Sequence, residues 1–179
     1  MDRVVYDRDG SLCNAYVRNV YKHADFECPN TRMHVPIDFP GLGARVKVPV
    51  FVQSSAFDIK NENDFLSELF GHEGKHVDDV YDGIRIGSYV ITGKSIYEED
   101  RMSLGVVRDI LELRALSNQL VQDRQISLGY RIDVQKSLDE SYNLLRRYAD
   151  LKIDDFERRV IEEQLKEVED AGILLLPKG

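Results

Sequence analysis

The sequence predicts an α+β fold in which a small mixed sheet precedes a helical carboxy-terminal half, and three observations carry that expectation. The 179 residues fit one domain. Up to about residue 60, Pro29, Pro36, Pro40 and Pro49 with Gly41 and Gly43 break any helical period, and short β-branched runs stand between them. From Asn61 onward, apolar residues recur at spacings of three and four. There is no internal repeat, low-complexity tract or linker, so residues 1–179 read as one domain: a strand- and loop-rich part, 1–60, and a mainly helical part, 61–179.

The clearest strand runs from Ala44 to Ser54, with Val46, Val48, Val50 and Val52 on one face and Lys47, Pro49, Phe51 and Gln53 on the other. Pro49 cannot donate to a ladder, which predicts an edge strand. Asn61 or Asn63 then caps a helix whose stripe is Phe65, Leu66, Leu69, Phe70, Val77, Val80 and Tyr81, ending near Gly83. A strand-like stretch, Ile84 to Thr92, follows. A second helix is predicted from Glu98 to Gln125 around Leu104, Val107, Ile110, Leu111, Ala115 and Leu116, with Gly105 a weak point early in it. A third, Asp133 to Asp150, turns Val134, Leu138, Leu145 and Tyr148 inward. A fourth starts at Asp154 or Asp155 and stops at Gly172, leaving Ile173 to Leu176 as a short strand or apolar clamp.

Composition narrows the partners. A formal charge of -8 offers no general attraction to phosphate backbones or anionic membranes. Arg146-Arg147 and Arg158-Arg159 fall among acids in helical patterns and read as solvated faces. No nucleic-acid or membrane partner is expected. No run reaches the roughly 18 apolar residues that span a bilayer. The first residues lack a signal-peptide core, so a cytoplasmic location is the default expectation, with a secreted or periplasmic one open if a leader has been removed. Cys13 and Cys28 are the only cysteines, and either a disulfide or two reduced thiols fits them.

The chemistry lies in residues 72–76, His-Glu-Gly-Lys-His, inside the first predicted helix. Histidines at i and i+4 leave one helix face a turn apart, so both imidazoles reach one cation. Glu73, about 100° round the helix from His72, lies beside that ion, where its carboxylate can take a proton from metal-activated water. An aspartate there would be too short, and a glutamine could not accept the proton. Zinc is the expected cofactor, with His72 and His76 as ligands and Glu73 as general base. Gly74 costs the helix about 1 kcal/mol relative to Ala, an expense that fits a functional site.

A catalytic zinc takes three protein ligands and keeps one position open. A metzincin-like template would place the third at Asp82. That template also requires glycine where Asp79 stands and a methionine turn, and the only later methionine, Met102, falls at the start of a predicted helix. The other template resembles gluzincins and many short bacterial and phage HExxH metallopeptidases, in which a glutamate on a later helix closes the site. Glu112-Leu113-Arg114-Ala115-Leu116-Ser117-Asn118-Gln119 is similar to their E-x-x-A-x-x-x-Q run, which makes Glu112 the implied third ligand. An exposed Glu112 paired with Arg108 is the plain alternative.

The resemblance spans about residues 44–120 and implies a zincin-like fold, the edge strand packed on the HExxH helix. It implies zinc-dependent hydrolysis of a peptide or protein substrate laid along that strand. Leu116 stands where such families carry a second carboxylate, leaving Asp78, Asp79 or Asp109 to orient a histidine. His34, Tyr81, Tyr89 and Tyr97 are candidate oxyanion donors, while His23 and His34 both read as surface or loop residues. Two other functions fit the same residues: a catalytically inactive zincin-like binding module, or an acidic helical interaction or immunity protein meeting a basic partner.

Overall fold

The computed structural model of the protein describes residues 3–22, 28, 31–122, 125–151 and 154–174. His23, Pro29 and the end of the stretch expected over Ile173 to Leu176 lie outside the described residues; Ile173 and Leu174 are irregular and half-buried. The fold mixes α and β, with small sheets and helices dominating after residue 61. Among the described residues no helix is long and apolar enough to cross a membrane.

The strand predicted over Ala44 to Ser54 is shorter than expected and is not an edge. Only β3 (Val50–Val52) pairs, and it lies between β1 (Val4–Tyr6), which is parallel to it, and β2 (Met33–His34), which is antiparallel. Pro49 stands one residue before the ladder, so its missing N–H is never asked for. The alternation also fails, for a physical reason. Val50 and Val52 face the main core while Phe51 packs with Cys13 and Val17 of a second cluster, so both faces of β3 are covered. Val46, by contrast, is 43% exposed.

That second cluster rests on α1 (Ser11–Tyr16), which continues as a π-helical turn, Val17–Tyr21. The fully buried Asp7 accepts the backbone N–H groups of Leu12 and Cys13 at 3.1 and 2.8 Å, satisfying orphan donors at the helix start. Cys13 and Cys28 form a disulfide.

The motif helix is continuous through residues 62–82 and has three parts: α2 (Glu62–Leu66), a π-helical turn (Ser67–His72) and α3 (Glu73–Asp82). Asn61 caps it, its side chain accepting from the N–H groups of Asn63 and Asp64, an interaction worth about 1 kcal/mol. The wider π turn shifts the helical phase, which is why Leu66 and Phe70 of the expected apolar stripe face solvent while Leu69, Val77 and Val80 are buried. At the other end Gly83, with φ of 82°, breaks the helix. The N–H groups of Gly43 and Arg45 close it by donating to the carbonyls of Val80 and Tyr81.

Ile84 to Thr92 resolves into a hairpin, β4 (Ile84–Ile86) and β5 (Tyr89–Ile91), turning at Gly87 and Ser88. Next comes α4 (Gly93–Tyr97), capped by Thr92 and Ser95. A Cβ on Gly93 would lie 2.1 Å from the carbonyl oxygen of Pro40, so this close approach admits only glycine; its N–H donates to Leu42 O at 2.9 Å.

The second long helix starts later than Glu98. Asp100 has φ of 48°, a left-handed residue that ends α4's extension, and α5 (Leu104–Gln122) begins after Ser103, whose N–H and hydroxyl both donate to the buried Glu157 carboxylate. Gly105 therefore sits in the first turn, where it costs little. The third helix, α6 (Leu128–Asp150), starts five residues before Asp133 because Ser127 caps it, and Ser127 also donates to the buried Asp64 of the motif helix through N–H and hydroxyl at 2.7 and 2.5 Å. The last, α7 (Asp155–Asp170), is capped by Asp154 and followed by Gly172, as expected. Leu113, Leu138, Leu145, Val160 and Ile161 join these helices and the hairpin in one core.

Candidate metal centre

His72 closes the π turn and His76 lies one turn on in α3, so both rings leave the same side of the helix, their centroids 4.9 Å apart. Helix α5 crosses the motif helix and presents Glu112 to both. His72 Nε2 is 3.6 Å from one carboxylate oxygen and His76 Nε2 is 3.5 Å from the other. Tetrahedral zinc with bonds of about 2.0–2.2 Å sets neighbouring ligand atoms about 3.3–3.6 Å apart. The donor atoms of His72, His76 and Glu112 all lie within 4.8 Å of one another. These three residues thus have the type and the separations that such an ion takes.

The π turn is pinned where it matters. Asn118 Nδ2 of α5 donates to the carbonyl of Gly71 at 2.7 Å, one residue before His72. Two residues beyond Glu112, Arg114 grips Asp79 of the motif helix and also reaches Gln164 Oε1 on α7 at 3.2 Å. Ala115 is fully buried, and Gln119 donates to the carboxylate of Glu68 and to the hydroxyl of Tyr130. Glu112, Arg114, Asn118 and Gln119 of the run therefore all contact the motif helix.

A cavity of about 700 Å³ opens over the site, lined by Glu68, His72, Glu73, His76, Arg108, Leu111 and Glu112 on the helical side, and by residues 31–35 with Ile37 and Phe39 on the other. Glu73 is 5% exposed and lies in the cavity wall beside the two histidines. Burial pushes its carboxyl up, against the pull of both imidazoles. Burial also opposes a charge on His72, yet the adjoining Glu112 carboxylate, with Glu73 and Glu68 behind it, raises that imidazole to about 9. Glu112 loses some hydration too, but the two imidazoles hold its carboxyl well below the usual carboxylate range.

Asp82 is not part of this group. Six residues past His76 is about 240° further round a helix, and Asp82 is exposed in a separate depression with Lys75, Arg85 and Glu167. Arg108 lines the cavity, while the ionic contacts of Glu112 are with the imidazoles. Of the acids considered for orienting a histidine, Asp79 is taken by Arg114 and Lys75, and Asp78 is exposed; both imidazole Nδ1 atoms are buried with no protein partner. Among the candidate oxyanion donors, His34 lines the cavity. Tyr89 instead packs on Phe156 and Tyr97 is exposed. His34 is half-buried in β2, not a surface loop residue, and burial, with His76 nearby, lowers it to about 4.

Sequence reasoning missed Arg32, Glu68, Arg114 and Asn118. Arg114 left a signal, since it is a charged residue flanked by Leu113 and Ala115 in an apolar stretch; Asn118, between Ser117 and Gln119, and Arg32 and Glu68 left none. No family model matches the sequence, and no curated protein or solved structure matches the chain.

Proposed function

We propose that this chain is a zinc-dependent peptidase with a zincin-like arrangement, hydrolysing a peptide or protein substrate at the cavity over His72 and His76. The observation that carries the proposal is the convergence of His72 Nε2, His76 Nε2 and both oxygens of Glu112 at 3.5–3.6 Å. Two neutral imidazoles and a carboxylate make a common ligand set for catalytic zinc, which when bound supplies Lewis acidity and lowers the pKa of a water at the open position.

The chain's own residues do the rest. Glu73, buried in the wall between the ligands, takes the proton from the attacking water and returns it to the leaving amine; its burial makes it a stronger base than a solvated carboxylate. His34 stays neutral near pH 7 and can donate an N–H to the developing oxyanion from across the cavity. The strand that would seat a substrate is β2, a sheet edge whose residues line the cavity, and not the central β3.

Metal analysis of the purified protein tests the reading. About one zinc per chain should bind, and His72→Ala and His76→Ala should each lose it. Glu73→Gln should keep the metal while hydrolysis of a fluorogenic peptide library drops by about 10²–10⁴. A parent protein without zinc affinity, or a Glu73→Gln variant as fast as the parent, would sink the assignment.

A further inference from the structure

We propose that, when the Cys13–Cys28 disulfide is reduced, Cys13, Cys28 and His34 bind a second zinc ion at a site distinct from His72, His76 and Glu112. Both sulfur atoms and one ring nitrogen of His34 lie within 4.8 Å of one another. Zinc–thiolate bonds of about 2.3 Å and zinc–imidazole bonds of about 2.0–2.1 Å set neighbouring ligand atoms about 3.3–3.8 Å apart. Opening the bridge frees the sulfurs to spread toward that separation. Two thiolates and a neutral imidazole suit zinc, with the fourth position left to solvent.

Contacts other than the bridge also hold these residues. Asp7 holds the backbone N–H of Cys13, and Asn14 Oδ1 accepts the N–H of Cys28 at 2.6 Å. His34 is held by the pairing of β2 with β3, opposite Phe51. Its Nε2 is buried without a protein partner, a nitrogen whose bonding capacity the fold leaves unused. Cys13 is 1% exposed among Val17, Phe51 and Tyr16, surroundings that disfavour a bare thiolate and favour one neutralised by a cation.

A dithiol reductant cleaves the S–S bond and leaves as its cyclic disulfide, and Cys13 and Cys28 each gain one electron and one proton. Zinc then displaces both thiol protons to solvent. Because His34 also lines the larger cavity, loading this site ties the thiol state of the chain to a wall of the first centre.

Anaerobic cobalt(II) titration tests this, comparing the oxidised protein with protein reduced by dithiothreitol and then freed of it by gel filtration. The reduced chain should take up one more equivalent of cobalt and develop a thiolate-to-cobalt charge-transfer band that the oxidised chain lacks. Cys13→Ser and Cys28→Ser should each abolish the band, and His34→Gln should weaken cobalt binding there at least about tenfold. A His72→Ala, His76→Ala double variant should keep the band and lose the other equivalent, so failure here and failure of the proposed catalytic centre give different results. A reduced chain with no band, or a band equally strong in His34→Gln, overturns the proposal. So does a reduced chain whose helical circular dichroism collapses and is not restored by cobalt.

Discussion

Arg114 donates a two-pronged hydrogen bond to Asp79, Nε to Oδ2 at 2.9 Å and Nη2 to Oδ1 at 3.1 Å. Asp79 comes three residues after His76 and Arg114 two after Glu112, so this fork sets the phase of one helix against the other at the level of those two residues. Lys75 adds a third contact at 2.6 Å. Both partners are largely out of water, which makes the pair costly to break from one side. Asp79→Ala should lower stability by about 3–5 kcal/mol in urea unfolding. The same variant should weaken zinc binding by about 10–100-fold in a chelator competition. A substitution that leaves zinc affinity intact would mean the helices keep their spacing without it.

Glu112 and Asp82 give opposite expectations. Glu112 faces both imidazoles, whereas Asp82 is exposed in another depression. Glu112→Ala should reduce zinc affinity by at least about tenfold. Asp82→Ala should change stability by no more than about 0.5 kcal/mol and zinc affinity not at all. Measuring both by competition with a chromogenic chelator settles which acid closes the site.

The metal-free protein should respond to pH through His72. Its imidazole is raised to about 9 when folded, against an ordinary value of 6.5, so its contribution is fully present below pH 6.5 and is lost as pH rises through 9. Denaturant midpoints of the metal-free chain should fall across that window, and His72→Gln should flatten the fall. Zinc must also displace this proton, so binding at pH 7.5 should release about one proton and tighten as pH rises. Calorimetry in buffers of different ionisation enthalpy counts the proton directly.

Asn118 is 47 residues from Gly71 in the chain, yet its amide holds the Gly71 carbonyl beside His72. Asn118→Ala should cost about 1–3 kcal/mol of stability. It should also reduce zinc affinity more than an equally destabilising core change such as Val160→Ala, because it loosens the π turn that aims His72. Comparing the two variants at matched stability checks this.

The four long helices and the shared face of His72 and His76 were legible because both rest on local arithmetic, whereas Glu112 was reached only through a resemblance in the run around it and the helix at Ser11–Tyr16 was not read at all. Residues at i and i+4 share a face whatever the rest of the chain does, and the caps at Asn61, Asp154 and Gly172 are read within a few positions. The sheet was not legible at the same level. Whether Val50–Val52 is an edge depends on strands 17 and 46 residues away, and Phe51 is buried only because α1 folds across its face. The π turn escaped for a related reason: an extra residue in a helix changes no residue type, only the phase at which Leu66 and Phe70 meet solvent. The start of α5 was misplaced because Asp100, a left-handed aspartate, carries no glycine to mark it.

The contact between Gly93 and Pro40 reaches further than its size. Phe39, the residue before that carbonyl, lines the cavity, and Leu42, two residues after it, accepts the Gly93 N–H. A single methyl at position 93 would act as a shim against the backbone of Phe39 and Pro40. The wall of the chamber is thus braced by a residue that is not among those lining it, far along the chain from His72, His76 and Glu112.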